Sequence, residues 1–137
     1  LKKIILFLMV ALGVASAHSQ SYQSYLSFCT FVNSQTQECI FENNKFITTP
    51  DSTHARLFMY LRSAQPFGAS KLAFKIYGID RFGAELFLYT ITQDVQPDWQ
   101  NSWQPSVFTS PGKYMVKVYK GDSDTLITNR GFEFFNY

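Results

Sequence analysis

The sequence predicts an all-β domain, a sandwich or barrel of about seven or eight antiparallel strands. Three observations predict it. Segments of strand length alternate apolar and polar residues with a period of two, as a sheet with one buried face requires. Turn signals recur every ~8–15 residues, and no stretch carries a convincing helical period. The chain is rich in Phe (14) and Tyr (8), residues suited to half-buried pleated surfaces.

The first 17 residues read as a cleavable export signal. Lys2 and Lys3 form a short positive region, residues 4–14 are an almost unbroken apolar run, and Ala15-Ser16-Ala17 places small residues at the cleavage site. The run is roughly half the ~20 residues a helix needs to cross a bilayer. The polar His18-Ser19-Gln20-Ser21 follows at once. No Cys stands directly after Ala17, so a bacterial lipoprotein anchor is not expected. Residues 18–24 then form a polar tail and residues 25–137 the domain, with no further transmembrane segment. Losing Lys2 and Lys3 brings the 12 basic residues level with the 10 acidic ones, so the charge falls from +2 to zero. No run of Lys or Arg survives to attract nucleic acid or anionic lipid.

Cys29 and Cys39 are the only cysteines. An oxidising compartment favours a disulfide between them. They lie in segments 28–32 and 37–41, two expected strands around the turn Asn33-Ser34-Gln35-Thr36, so the bridge is expected to pin a hairpin. The small loop limits its entropic gain to at most about 3 kcal/mol. Free thiols, or a redox or metal site, are the alternatives; two thiols and one nearby His are a weak metal pattern.

Asn43-Asn44 and Thr48-Thr49-Pro50-Asp51 signal turns. In residues 55–62, Leu57, Met59 and Leu61 alternate with Arg56, Phe58, Tyr60 and Arg62, a strand with one face inward. Residues 71–79 repeat the pattern with Leu72, Phe74 and Ile76. Asp80-Arg81-Phe82-Gly83 makes a hairpin connection. Residues 85–92 return as a strand whose two faces are equally apolar. A loop from Gln96-Pro97-Asp98 holds Trp99 and Trp103, and Val107-Phe108 reads as a short strand. Residues 113–120 form the clearest strand, with Tyr114, Val116 and Val118 inward. Residues 126–135 close the domain, with a bulge expected at Gly131.

At Pro111-Gly112-Lys113-Tyr114-Met115-Val116-Lys117-Val118 the chain resembles the penultimate strand of bacterial extracellular immunoglobulin-like domains, fibronectin type III-like and polycystic-kidney-disease-like modules among them. That resemblance implies an immunoglobulin-like β-sandwich. It also implies a tyrosine corner at Gly112 and Tyr114, whose hydroxyl bonds back to the backbone. Val116 stands where antibody domains carry a Cys, so the resemblance implies a core without an inter-sheet disulfide. The ending Leu126-Ile127-Thr128 with Phe132-Glu133-Phe134 is similar to the last strand of such domains. The resemblance bears on fold more than on function.

Catalytic chemistry is not expected. His18 begins the tail, and His54, beside Asp51, Ser52 and Thr53, reads as part of a turn. No nucleophile elbow is present. Asp80, Glu85, Asp94 and Asp98 sit at turns or strand ends, where carboxylates stay solvated rather than facing each other across a cleft. Asp122-Ser123-Asp124 offers too few oxygens for calcium. No metal or cofactor is implied. Trp99 and Trp103, with Asp98 and Asn101, are the candidate binding residues: exposed indoles flanked by amides and carboxylates stack on sugars or anchor a partner. The plainer alternative has one indole packed under the sandwich edge and the other covering the loop. The sequence therefore predicts an exported, periplasmic or secreted, non-enzymatic module whose partner is a protein or a glycan. The alternatives are a carbohydrate-binding module built on the tryptophans and a subunit of a surface fibre or secretion assembly that pairs through strand edges.

Overall fold

A computed structural model describes residues 24–48, 55–121 and 123–136. The expected leader, His18 and most of the expected tail, His54 and Asp122 lie outside the described residues. Among the described residues ten strands follow one another, β1 (Ser24–Cys29), β2 (Phe31–Asn33), β3 (Glu38–Ile40), β4 (Lys45–Thr48), β5 (Ala55–Ser63), β6 (Lys71–Ile79), β7 (Glu85–Asp94), β8 (Asn101–Phe108), β9 (Gly112–Lys120) and β10 (Leu126–Asn136). They build a three-stranded sheet, β1-β5-β8, and a five-stranded sheet, β4-β10-β9-β6-β7. β2 and β3 form a separate hairpin. The pairings are antiparallel except β4 with β10, which run parallel.

The alternation seen in the sequence sets the layers. Leu57, Met59 and Leu61 of β5 are buried, as are Leu72, Phe74 and Ile76 of β6 and Tyr114, Val116 and Val118 of β9. With Leu26 and Phe28 of β1, Phe108 of β8 and Phe132 and Phe134 of β10 they make one core between the sheets. Phe132 sits at its aromatic centre, with ring centroids 4.7 Å from Phe108, 4.8 Å from Phe28 and 5.2 Å from Tyr114. Each such side chain, fully buried, stabilises the fold by about 1.5–3 kcal/mol. At the inter-sheet corner the Tyr114 hydroxyl donates to the Ser110 carbonyl, while Gly112, with φ 149°, opens β9.

Cys29 and Cys39 are bonded, with Cα atoms 5.5 Å apart. The bond does not close the hairpin on itself. The chain bends at Thr30, whose amide donates to the Ile40 carbonyl at 3.2 Å, so Cys29 ends β1 while Cys39 lies in β3 opposite Val32 of β2. The disulfide thereby fastens the hairpin to the first strand of the small sheet. By register, Phe58 and Tyr60 of β5 and Trp103 of β8 share the outer face of that sheet. Cys29, Val32 and Tyr60 are buried together there, with Cys39, Phe58 and Trp103 packed against them. The hairpin thus covers a second, smaller apolar cluster.

Three sequence expectations need correction. The eight-residue β8 replaces the short strand at Val107-Phe108, so Asn101 and Trp103 lie on a strand rather than in a loop. Pro105 within it is tolerated because β8 is an edge strand. β4, which the sequence reading did not assign, lies between the two turn signals and overlaps them only at Thr48; its partner is the far end of the chain, so no local pattern announces it. Gly131 marks no bulge: it pairs in register with Met115, and the irregularity falls between Leu126 and Thr128. A Cβ at Gly131 would stand 3.1 Å from the Tyr114 carbonyl oxygen, so close backbone approach explains the glycine. The turn Asp80-Arg81-Phe82-Gly83 forms as read: Asp80 Oδ1 accepts from the Phe82 and Ala84 amides, and Gly83 takes φ 84°.

Candidate functional site

The candidate binding residues meet at one end of the sandwich, where β7 gives way to β8. Residues 95–100 connect the two edge strands, and their backbone is laced to the 63–68 connection. The Ser63 amide donates to the Gln100 carbonyl at 2.7 Å, Phe67 to Trp99 at 2.8 Å and Gly68 to Pro97 at 2.8 Å. The Gln100 side-chain amide adds a bond to the Ala64 carbonyl at 3.1 Å. Trp99 therefore stands on an anchored loop with its side chain at 44% exposure. Little ordering entropy remains to be lost there on binding.

β8 continues from this loop with alternating direction. Ser102 points inward and is buried, and its hydroxyl donates to Gln93 Oε1 at 2.9 Å. The other end of that amide donates to the Trp103 carbonyl at 2.9 Å. Gln93 of β7 thus ties the edges of the two sheets together. Trp103 points outward, half-buried, and lies nearly parallel to the Tyr60 ring, 9° apart in plane with centroids 6.0 Å apart. Tyr60 in turn donates its hydroxyl to the Gln37 carbonyl at 2.6 Å.

These contacts enclose an open cleft of about 650 Å³, lined by Trp99, Gln100, Asn101, Ser102 and Trp103 from the β7–β8 side, Gln93 from β7 and Gln37 from the hairpin tip. Among the described residues no charged side chain lines it. Several of its amide atoms are already engaged. Gln37 Nε2, Gln100 Oε1 and Asn101 Oδ1 have no partner among the described residues, which leaves one donor group and two acceptors beside an exposed indole. Such a surface can stack on an apolar ring face and exchange hydrogen bonds with hydroxyls.

Asp98 is exposed and stands outside the cleft wall. Trp99 and Asn101 come together in the cleft. Trp103 contributes its edge while its ring supports the hairpin. Gln37 and Gln93 are site residues that the sequence did not single out. Parity along β7 places Gln93 on the inward face opposite Leu72, but nothing local points to Gln37. Of the other carboxylates, Asp80 caps its turn and Glu85 pairs with Lys117 at 2.7 Å. Among the described residues no group of three or more His, Cys, Asp or Glu is placed to hold a metal ion. No helix among them is long and apolar enough to cross a membrane.

No protein-family model matches the chain, and no curated protein does. Among solved structures, the chain is similar to an immunoglobulin-like protein from Pseudomonas aeruginosa. That similarity has a TM-score of 0.51 at 13% identity, and it covers 83% of this chain and 98% of the other. At that identity the likeness speaks for the fold alone, and the fold it gives this chain is the immunoglobulin-like β-sandwich.

Proposed function

We propose that this chain is an exported, non-enzymatic binding module of the bacterial extracellular immunoglobulin-like kind, and that its cleft at Trp99 takes a neutral glycan. The observation that carries the reading is the exposed Trp99 indole on a backbone-anchored loop, beside the open amide atoms of Gln37, Gln100 and Asn101. A sugar presents an apolar face to stack on the indole and hydroxyls that both donate and accept. The absence of charge in the cleft wall suits an uncharged ligand. Export is supported by the leader pattern and by the Cys29–Cys39 bond, which is of the kind that persists in oxidising compartments. The attachment of β7 to the larger sheet, beyond β6, favours the fibronectin type III-like variant.

Titration with neutral cell-surface and plant glycans, followed by tryptophan emission, tests this reading. A saturable shift that Trp99→Ala abolishes is expected. Silence across all the glycans, or a Trp99→Ala protein that binds as tightly as the parent, would sink it. A second reading, association with a protein through a strand edge, is favoured by the exposed apolar residues of β7.

A further inference from the structure

The two sheets of the sandwich end in four strand edges, and three of them are guarded. On β1 the Leu26 carbonyl accepts from Arg130 Nη1 at 3.1 Å and the Phe28 carbonyl from the Asn43 amide at 3.1 Å. β8 carries Pro105, and its Trp103 carbonyl is occupied by Gln93. β4 is only four residues long. These are the usual means by which sheet edges avoid pairing with other chains. β7 is different. It is ten residues long and has no Lys, Arg or Pro. Leu86, Phe87, Leu88 and Tyr89 are 68%, 52%, 42% and 38% exposed. A run of that kind on an edge strand marks an interaction site when it is kept.

One irregularity interrupts the edge. Ile76 pairs with Tyr89 and Tyr77 with Phe87, which leaves Leu88 unopposed. Its methyl groups lie over Gly78, where an added Cβ would come within 3.6 Å. Beyond it, residues 89–94 run in regular register. On the inward side an open, mainly apolar cleft of about 500 Å³ separates Leu86, Leu88 and Tyr89 from Val107, Phe108 and Pro111.

We propose that β7 is the docking edge for an extended segment of another protein, paired along residues 89–94. Its apolar side chains would continue over the Leu86–Leu88 cleft, and a basic residue would meet Asp94. This deepens the association reading above, and the docking segment shares only Gln93 with the glycan cleft. The charge pattern selects the partner. Glu85 already pairs with Lys117, whereas Asp94 and nearby Asp98 have no ion pair among the described residues. β7 carries two acids and no base, so no register of β7 against a second copy of itself sets an acid opposite a base. A partner strand with basic ends does so, and opposite charges across strands are favourable where like charges are not.

The probe is a synthetic peptide alternating valine and threonine with lysine at both ends, compared with the same peptide ending in glutamate. The lysine-ended peptide is expected to slow amide exchange at residues 89–94 and to bind about ten-fold tighter than its acidic counterpart. Thr90→Lys combined with Thr92→Lys places charges on exposed edge positions without touching the core, and it is expected to abolish the effect. Unchanged exchange in β7, equal affinity for the two peptides, or binding that survives the double substitution overturns the proposal. Concentration-dependent dimers that the same two lysines dissolve would make the occupant a second copy instead. None of these results alters the outcome of glycan titration at Trp99.

Discussion

Asn101 Nδ2 donates a 2.8 Å hydrogen bond to Gln37 Oε1, joining two residues 64 positions apart in sequence. That bond and the Tyr60 hydroxyl on the Gln37 carbonyl hold the tip of the β2–β3 hairpin against β8. Gln37 adopts φ 60°, a conformation that costs a non-glycine residue of order 1–3 kcal/mol and persists only where surrounding contacts fix it. The disulfide holds the other end of the hairpin. The cleft at Trp99 therefore owes one of its walls to a segment that belongs to neither sheet.

Replacing both cysteines, Cys29→Ser with Cys39→Ser, is expected to lower stability by about 2–3 kcal/mol, the range for closing so small a loop. Cys29 is fully buried, so its hydroxyl replacement also lacks a ready partner in the cluster of Val32 and Tyr60. The sandwich core does not include either cysteine and is expected to survive. Thermal melting should show a lower Tm with cooperativity retained. Trp103 emission should move to the red as the hairpin loosens. An unchanged emission maximum would mean that the non-covalent contacts alone hold the hairpin in place.

The two tryptophans should separate binding from stability. Trp99 is exposed on an anchored loop, so Trp99→Ala is expected to change unfolding free energy by no more than about 1 kcal/mol while removing the glycan response. Trp103 stacks on Tyr60 and packs against the hairpin cluster. Trp103→Ala is expected to cost about 2–4 kcal/mol in urea unfolding, near the range for truncating a large core aromatic. The reverse order of the two stability losses would reassign their roles.

The strands easiest to read in the sequence are those whose one face is covered. Leu57, Met59 and Leu61, and Tyr114, Val116 and Val118, alternate cleanly because the opposite sheet buries them while their neighbours meet solvent. β7 showed two equally apolar faces because it is the outermost strand of the larger sheet, and neither face is deeply covered. β8 was obscured by Pro105, which an edge strand tolerates. The pairing of Cys29 with Cys39 was legible, but its consequence was not: a bend at Thr30 separates β1 from β2 and turns a hairpin clasp into a link between hairpin and sheet. In the site, Trp99, Trp103 and Asn101 stand close together in sequence and could be read as a group. Gln37 joins them only through tertiary contacts.

Gly121 follows β9, and its amide donates to the Lys71 carbonyl at 2.8 Å. A Cβ added there would fall 2.5 Å from Lys71 Cβ and 3.0 Å from the Lys71 carbonyl oxygen. Neither is the end of a flexible chain, so β6 or the turn must shift. Gly121→Ala is expected to destabilise by about 1–3 kcal/mol. Gly83→Ala meets nothing within 4 Å but must adopt φ 84°, so its cost is strain alone, about 1 kcal/mol. Urea midpoints of the two variants check the order, and a larger loss at Gly83 would contradict it.

Stability should fall in alkali, partly through Tyr114. Burial of its phenol, and secondarily the neighbouring charge on Tyr89, raise its pKa above the ordinary 10.0. The folded chain then holds the phenolic proton more tightly than the unfolded chain does. The resulting stability is complete below pH 10 and is lost as pH rises through the raised folded value. Lys117 acts with the same sign, because its hydrogen bond to Glu85 raises it above 10.5 despite an opposing effect of burial. Tyr114→Phe removes the first contribution and leaves the second. It also gives up the bond to the Ser110 carbonyl, a loss of about 1 kcal/mol at neutral pH. Urea unfolding at pH 7 and above pH 10 should therefore show a variant that starts less stable but loses less on going alkaline. Adding Glu85→Gln should flatten the remaining slope further. If Tyr114→Phe loses as much stability between the two pH values as the parent does, the phenol is not the group that titrates.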